Sequence, residues 1–230
     1  MSEGVCVLIE GIEADLYGTN CFVVAPGPGE QCIVIDPGVG VTRTLDEVIA
    51  GHRLHPVAVV LTHGHLDHTF SVLPVCQARE VPAFIHPDDR HALADPWSLM
   101  GLPPGTPLPG LGALTAAEPD DVRLLTDGAR VQLAGLDLTI RHAPGHTRGS
   151  VLIETPGAGD LPPVAFTGDV LFAGSIGRTD LPGGSLPAMI DSLKNVVLPM
   201  PDEVLVCPGH GPRTTIGTER ATNPFLRELT

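Results

Sequence analysis

The sequence predicts an α+β fold in which two β layers pack between outer helices. Short runs rich in β-branched residues alternate with helical segments along the chain, in the order strands, helix, strand, helices, and then strands and helices again. Hydrophobic residues make up 43% of the 230 residues, which is enough for a well-buried core. No linker splits the chain, so we expect a single domain over residues 1–230.

The first half of the chain has the pattern of one sheet and its helices. Strands are predicted at 5–10, 19–25, 31–35, 57–61 and 81–85, and the first three, joined by Gly/Pro turns, predict an antiparallel meander. Apolar residues at helical spacing behind Thr44, a potential N-cap, predict a helix that reaches His52. A second helix is expected over 70–76, bent or broken at Pro74, and a third begins after Pro87.

A segment rich in Pro and Gly, 95–121, follows without any sustained period. It is longer than the roughly 12–15 residues usual for an unstructured connection, which predicts a mobile flap or lid. The alternative is a surface loop that Trp97 and Met100 tether to the body, and the sequence favours neither over the other.

The strand pattern then resumes. Strands are predicted at 122–125, 129–133, 136–142, 150–154, 164–167 and 204–207. Apolar residues on one face predict a helix over 186–198, and a short helix is expected to start near Thr218.

Composition and charge exclude several classes of function. The formal net charge is -14 and Lys194 is the only lysine, so a nucleic-acid partner is not expected. No run of about 18 apolar residues could cross a bilayer. The N-terminus lacks a secretion signal, and the five cysteines are widely spaced, so we expect a cytoplasmic protein, monomeric or homodimeric, with buried unpaired thiols.

The chemistry concentrates directly after the apolar run 57–61. His63, His65, Asp67 and His68 provide four potential metal ligands within six residues. Imidazole and carboxylate without cysteine suit zinc, iron or manganese in a reactive site better than a sealed structural zinc. Because Asp67 and His68 are consecutive, their side chains point in different directions and could serve a second ion.

Three further candidates, His146, Asp169 and His210, each follow a glycine at the end of a predicted strand. We assign one ion to His63, His65 and His146, the other to Asp67, His68 and His210, and a bridging role to Asp169. Two divalent ions would leave the centre slightly cationic inside an acidic protein, which suits an anionic or polarised carbonyl substrate. Zinc is the expected metal, with iron or manganese as alternatives.

This pattern resembles the metallo-β-lactamase superfamily. The resemblance rests on His-x-His-x-Asp-His at 63–68, followed in order by Gly-His, Gly-Asp and Gly-His, and it covers nearly the whole chain. It implies the metallo-β-lactamase fold, a four-layer αβ/βα sandwich in which two mixed β-sheets are flanked by helices, and two divalent ions. Asp67 and Asp169 would hold the ions and orient a bridging hydroxide, which attacks the substrate.

Two further segments narrow the resemblance. The stretch Gly-Arg-x-Asp at 177–180 is similar to the type II glyoxalase and persulfide dioxygenase branch, and 214–226 resembles the compact bacterial glyoxalase-II-like hydrolases. No C-terminal helical domain of the longer glyoxalases is expected, which leaves the thiol carrier open. The implied activity is hydrolysis of a small 2-hydroxyacyl thioester. The alternatives are a persulfide dioxygenase with one iron, held by His63, His146 and Asp169 or a similar subset, or a hydrolase of another ester, lactone or phosphodiester.

Two arginines are candidates for contacts with such a substrate. Arg178 could bind a substrate carboxylate, or form a structural ion pair with Asp180 or another acid. Arg148 lies two residues after His146 and could do the same, or simply face solvent.

Overall fold

Two six-stranded mixed β-sheets pack face to face, with helices on their outer sides, as the sequence predicts. The structure, a computed structural model, describes residues 7–111, 116–157, 159 and 161–229. The strand orders are β1-β2-β3-β4-β5-β6 in the first sheet and β12-β11-β10-β9-β8-β7 in the second. Each half of the chain therefore builds one sheet.

The first sheet opens as the predicted meander. Its strands are β1 (Leu8–Glu13), β2 (Asn20–Ala25), β3 (Gln31–Ile35), β4 (His55–Val60), β5 (Ala83–Ile85) and β6 (Val122–Leu124). Strands β1, β2 and β3 pair antiparallel, and β3 to β6 pair parallel. The parallel arrangement brings the carboxyl ends of β3, β4 and β5 to one edge of the sheet, from which the site's loops emerge.

The second sheet mixes the two kinds of pairing. Its strands are β7 (Arg130–Leu133), β8 (Leu136–His142), β9 (Val151–Thr155), β10 (Val164–Gly168), β11 (Leu205–Pro208) and β12 (Thr214–Thr215). Only the β10–β11 pair is parallel. Strand β12 was not predicted, because two residues are too few to show a period.

The helices depart from prediction at their ends. They are α1 (Thr42–His52), α2 (Leu66–Thr69), α3 (Val72–Arg79), α4 (Leu186–Ser192), α5 (Ile216–Thr222) and α6 (Pro224–Arg227). Helix α1 begins two residues before Thr44, with no side-chain cap, so the predicted N-cap is wrong. The predicted helix break falls between α2 and α3 and not at Pro74. Pro74 lies in the first turn of α3, where a backbone N–H would have no intrahelical acceptor, so proline costs no hydrogen bond there.

Two other helical predictions need correction. After Pro87 the chain forms only a short 3₁₀-helix, Arg90–Leu93. The long helix predicted over 186–198 is α4 followed by a π-helical turn, Leu193–Val197. Within the ranges given above, no helix is long and apolar enough to cross a membrane.

The main core lies between the two sheets and holds them in register at the site. Phe22 on β2 and Phe166 on β10 are buried, with ring centroids 5.2 Å apart. Ile33, Ile140 and Ile153, fully buried, join the same cluster. Each aliphatic or aromatic side chain buried in this way contributes about 1.5–3 kcal/mol, so the facing sheets form a rigid base for the loops at their ends.

The described part of the Pro/Gly-rich segment packs against the body. It contains a 3₁₀-helix, Pro96–Met100, in which the buried Trp97 donates a hydrogen bond from Nε1 to the Thr106 carbonyl, at 2.9 Å. Leu108 and Leu111 pack on Leu66, the first residue of α2. These contacts are those of a tethered loop, and opening of the segment as a lid stays a prediction.

Candidate metal centre

Loops from both sheets meet at one end of the sandwich. The loop after β4 carries His63, His65, Asp67 and His68, whereas His146, Asp169 and His210 follow β8, β10 and β11. Backbone hydrogen bonds join the two sheets here: Val151 N donates to Thr62 O at 2.9 Å, and Asn20 N donates to Gly209 O at 2.7 Å. The fold therefore gathers all seven predicted ligands in one place.

The first set of candidate ligands is His63, His65 and His146. Their candidate ligand atoms all lie within 4.8 Å of one another. His65 Nδ1 and His146 Nε2 are 2.7 Å apart, whereas two nitrogens bound at 2.0–2.1 Å to one tetrahedral zinc are separated by roughly 3.3 Å. These two rings would need to separate slightly around an ion.

The second set is Asp67, His68 and His210, whose candidate atoms fall within the same limit. His68 Nε2 lies 3.3 Å from His210 Nε2, which matches the separation expected around one ion. Asp67 Oδ2 lies 3.1 Å from His210 Nε2 and also accepts a hydrogen bond from the Thr19 hydroxyl, at 3.1 Å.

Asp169 lies between the two sets. Its Oδ1 is 3.3 Å from His68 Nε2, and its Oδ2 is 3.4 Å from His146 Nε2 and 3.6 Å from His210 Nε2. One carboxylate thus reaches a histidine of the first set and both histidines of the second, which is the position that a bridging ligand requires.

Buried polar atoms without partners test whether these residues fit metal ions. His63 Nε2 and Asp169 Oδ1 are buried and make no hydrogen bond in the structure, although His68 Nε2 is near Asp169 Oδ1. An unsatisfied buried nitrogen or oxygen costs about 1–3 kcal/mol, so such atoms need an explanation. A cation bound between the two sets would satisfy both, and neutral imidazole with carboxylate is a donor set for zinc or iron.

Electrostatics distinguishes the two sets. Burial, assisted by the neighbouring His68, lowers the pKa of His63, and burial beside His146 lowers the pKa of His65 to about 4. Burial also lowers the pKa of His146. The three histidines of the first set are therefore neutral at pH 7 and can offer lone pairs to an ion.

The second set is more strongly coupled to the carboxylates. Burial alone would lower the pKa of His68 and His210, but Asp169 and Asp67 outweigh it and raise both values. Burial would likewise raise the pKa of Asp67 and Asp169, and the histidines outweigh it and lower both. The acids and histidines of this set therefore favour each other's charged forms, and an ion would compete with protons for the same nitrogens.

A carboxylate that the sequence did not single out supports His68. Asp36, at the end of β3, is buried and accepts a hydrogen bond at Oδ2 from His68 Nδ1, at 2.9 Å. It also accepts from the Thr62 amide at Oδ1, at 2.8 Å, and from the Thr62 hydroxyl. This arrangement holds the proton of His68 on Nδ1 and turns Nε2 toward the centre.

The sequence contains a signal for Asp36, which, like Asp169, directly follows a buried strand. Pro37 and Gly38 after it are also typical of a turn that merely ends a strand, so this signal is weaker than that of Asp169. The φ of Asp36, +48°, lies in the left-handed region, where few residues other than glycine are found, and Asp is one of the more tolerant.

The two arginines differ in their surroundings. Arg178 forms a two-pronged ion pair with Asp180, with Nε and Nη2 each 2.7 Å from a carboxylate oxygen, and both side chains are exposed. Its carbonyl accepts a hydrogen bond from His146 Nδ1, at 2.8 Å, so the backbone of residue 178 orients a ligand. Arg148 is exposed and lines a cavity of about 380 Å³ together with His142 and Ser185. A substrate contact by either side chain stays a prediction.

Comparison with known proteins places the chain in a family. Residues 14–210, a span that contains all seven candidate ligands, match the family described as the metallo-beta-lactamase superfamily. An uncharacterized protein of Mycobacterium tuberculosis is 42% identical over 97% of this chain and 99% of its own length. The hydroxyacylglutathione hydrolase GloC of Haemophilus influenzae is 35% identical over 95% of this chain and 97% of its own length.

Solved structures agree. BLEG-1, described as a B3 metallo-beta-lactamase, is 35% identical and superposes with a TM-score of 0.82 over 95% of this chain and 99% of that chain. The di-iron-bound form of TTHA1623 is also 35% identical and gives a TM-score of 0.73 over 94% of this chain and 100% of that chain. By fold, and by the match over residues 14–210, the chain belongs to the metallo-β-lactamase superfamily of metallohydrolases.

Proposed function

We propose that this protein is a binuclear metallohydrolase that cleaves a 2-hydroxyacyl thioester of a low-molecular-weight thiol. The observation that carries the proposal is the position of Asp169, whose two oxygens lie 3.3–3.6 Å from histidines of both ligand sets. A carboxylate in that position favours two ions that share one ligand over a single closed site.

The residues of the chain would divide the work as follows. Two divalent ions, when bound, supply hydroxide from water at neutral pH and polarise the carbonyl under attack. The first ion would be held by His63, His65 and His146 and the second by Asp67, His68 and His210, and Asp169 would contribute to both sites. The Thr19 hydroxyl fixes the orientation of Asp67, and Asp36 fixes that of His68.

Support for a thioester substrate comes from the similarity to GloC, a hydroxyacylglutathione hydrolase, over 95% of this chain. No buried side chain is needed as a nucleophile, since the ions provide one. The four described cysteines are buried and unpaired, which fits the reducing cytoplasm that we propose as the location.

A second candidate function is β-lactam hydrolysis, which the similarity to BLEG-1 favours. The same seven ligands could direct hydroxide at a strained amide, so the ligand set alone does not separate the two reactions. Persulfide dioxygenation differs in needing one iron, bound by His63, His146 and Asp169, and oxygen as a co-substrate. Metal content therefore separates it from both hydrolases.

The test combines metal analysis with three assays on protein purified without added metal. We expect two zinc, iron or manganese ions per chain and release of free thiol from a 2-hydroxyacyl thioester of glutathione, faster than opening of a chromogenic β-lactam. Asp169→Ala should lose at least one ion and most of the activity, whereas Asp191→Ala, on the outer helix α4, should retain both. One iron per chain with oxygen uptake on a glutathione persulfide would refute the proposal, as would an active Asp169→Ala protein with both ions.

A further inference from the structure

A second buried carboxylate, Asp89, connects the two loops that carry the first ligand set. It follows β5 and is fully buried. One loop, after β4 in the first sheet, carries His63 and His65, and the other, after β8 in the second sheet, carries His146. The sequence indicated only that Asp89 lies at the start of a helix, and the structure places it between the sheets.

Asp89 accepts three hydrogen bonds from these loops. Its Oδ2 accepts from the Gly64 amide, between the two histidine ligands, at 2.9 Å, and from the Thr147 hydroxyl at 2.6 Å. Its Oδ1 accepts from the Gly149 amide at 2.8 Å. Gly64 lies between His63 and His65, and Thr147 directly follows His146. Asp89 therefore accepts a hydrogen bond from a residue adjacent in sequence to each member of the first set.

The glycines at these positions allow the close approach. A Cβ on Gly149 would lie 2.6 Å from Asp89 Cγ, and one on Gly64 would lie 3.0 Å from the Asp89 carbonyl oxygen and from Ala92 Cβ. Any larger residue would push the loops away from the carboxylate. The glycine of His-Gly-His is thus needed for packing on Asp89 as well as for the path of the backbone.

We propose that Asp89 is a positioning residue that sets the separation of the His65 and His146 rings and so the affinity of the first metal site. The inference rests on the proposed two-metal function and deepens it. The hydrogen bonds that Asp89 accepts, 2.6–2.9 Å long, connect the two loops that carry His65 and His146. The ligand atoms of these residues, His65 Nδ1 and His146 Nε2, lie 2.7 Å apart. Supporting groups of this kind typically change metal affinity 10–100-fold when they are replaced.

Asp89→Asn is the informative variant, because the shape is kept and one acceptor becomes a donor. If the amide oxygen faces Gly64, the NH₂ group opposes the Gly149 amide. If the oxygen faces Gly149, the NH₂ group opposes the Gly64 amide, while the Thr147 hydroxyl can turn to donate to Ser150 Oγ, 2.7 Å away. In either orientation one backbone N–H of a ligand loop loses its acceptor.

Glu219→Gln is the matched control. Glu219, on α5, is also buried and also accepts three hydrogen bonds, from the Gly174 amide, the Thr214 hydroxyl and the Asn223 side-chain amide, at 2.7–2.9 Å. None of these donors is a predicted ligand or a sequence neighbour of one. This variant should lose stability for the same reason as Asp89→Asn and should keep both ions.

The experiment is a Zn²⁺ titration of metal-free protein against a chromogenic chelator, with the unfolding midpoint of each metal-free variant measured in parallel. We expect Asp89→Asn to bind one ion as the wild type does and the other about 10–100-fold more weakly, and excess Zn²⁺ to restore turnover. Glu219→Gln should bind both ions with wild-type affinity. If both variants lower the midpoint and neither changes Zn²⁺ affinity, Asp89 is only structural and the inference is wrong.

Two further outcomes are informative. If Asp89→Asn does not fold, Thr147→Val serves instead, because it removes only the hydroxyl donor. It should weaken the binding of one ion roughly 2–10-fold. Unchanged affinity for both ions would overturn the inference. Wild-type protein that binds fewer than two ions would overturn the proposed function itself. That result is distinguishable from a two-ion wild type whose Asp89→Asn variant also binds both ions normally.

Discussion

Replacing Asp36 by Asn should weaken the second metal site selectively. Asp36 Oδ1 faces the Thr62 amide, and Oδ2 faces the Thr62 hydroxyl and His68 Nδ1. An Asn can accept at only one of these two positions. If its oxygen stays on the Thr62 amide, its NH₂ group forces the proton of His68 onto Nε2, the atom that would bind the ion.

The size of the effect follows from that geometry. In the first orientation the Thr62 amide keeps its acceptor, whereas His68 Nδ1 and the Thr62 hydroxyl lose theirs, so the loss falls mainly on metal affinity. In the other orientation the Thr62 amide loses its acceptor, and the loss falls on stability. One unpaired buried donor costs about 1–3 kcal/mol, which corresponds to a 5- to 150-fold change in an equilibrium constant.

The assay is again Zn²⁺ competition against a chelator, with thermal unfolding of the metal-free and loaded forms. We expect Asp36→Asn to lose affinity at one ion while the other binds as in the wild type. Combined with Asp89→Asn, which is expected to weaken the other ion, the double variant should weaken both sites. Equal loss at both sites from Asp36→Asn alone, or wild-type affinity with a wild-type unfolding midpoint, would refute the reasoning.

Three other predictions address the rest of the molecule. Removing metal with a chelator should lower the unfolding midpoint. Ions present at about 100 times their Kd stabilise the folded chain by about 2.7 kcal/mol per site. An unfolding midpoint that does not change when the chelator is added would contradict two tight sites. Burial and the stacked His142 ring, 4.2 Å away between centroids, lower the pKa of His86 below its usual 6.5, so its unfolded form takes up a proton more readily. The free energy of unfolding should therefore fall as the pH drops through 6.5. Between about pH 7.5 and 5.5, metal-saturated His86→Asn should lose less of it than the wild type does, whereas the exposed control His91→Asn should behave as the wild type. Arg178→Ala should leave the unfolding midpoint unchanged, because its ion pair with Asp180 is exposed. A raised KM without a change in kcat would indicate that Arg178 binds substrate, and an unchanged KM would exclude that role.

Much of the fold could be predicted because its signals are local. β-Branched runs between Gly/Pro turns predicted strands of both sheets, and β3 was predicted to the residue. The predicted helix ends were less accurate. Thr is a common N-cap and Pro commonly breaks a helix interior, but Thr44 and Pro74 both lie within the first turn of their helices, where neither residue has that effect. The residue at which a helix begins or ends depends on tertiary packing, about which a local sequence pattern carries no information.

The candidate ligands could be predicted from the sequence because four of them are clustered at 63–68, directly after a strand, and the other three each follow a glycine at the end of a strand. The groups that the supporting carboxylates hold could not be predicted. Asp36 contacts a residue 26 positions away, and Asp89 contacts residues 25, 58 and 60 positions away. Such pairs depend on which strand ends become neighbours and on how closely two sheets approach.

The sequence by itself determined which chemical groups the protein brings to its centre: five histidines and two aspartates, in an order typical of one superfamily. Only the tertiary structure decided how those groups are held. It placed Asp169 between the two sets, put Asp36 behind His68, and put Asp89 between loops of opposite sheets. The physical reason is that residue identity is a local property of the chain, whereas the distance between two ligands is set by the packing of the two sheets that carry them.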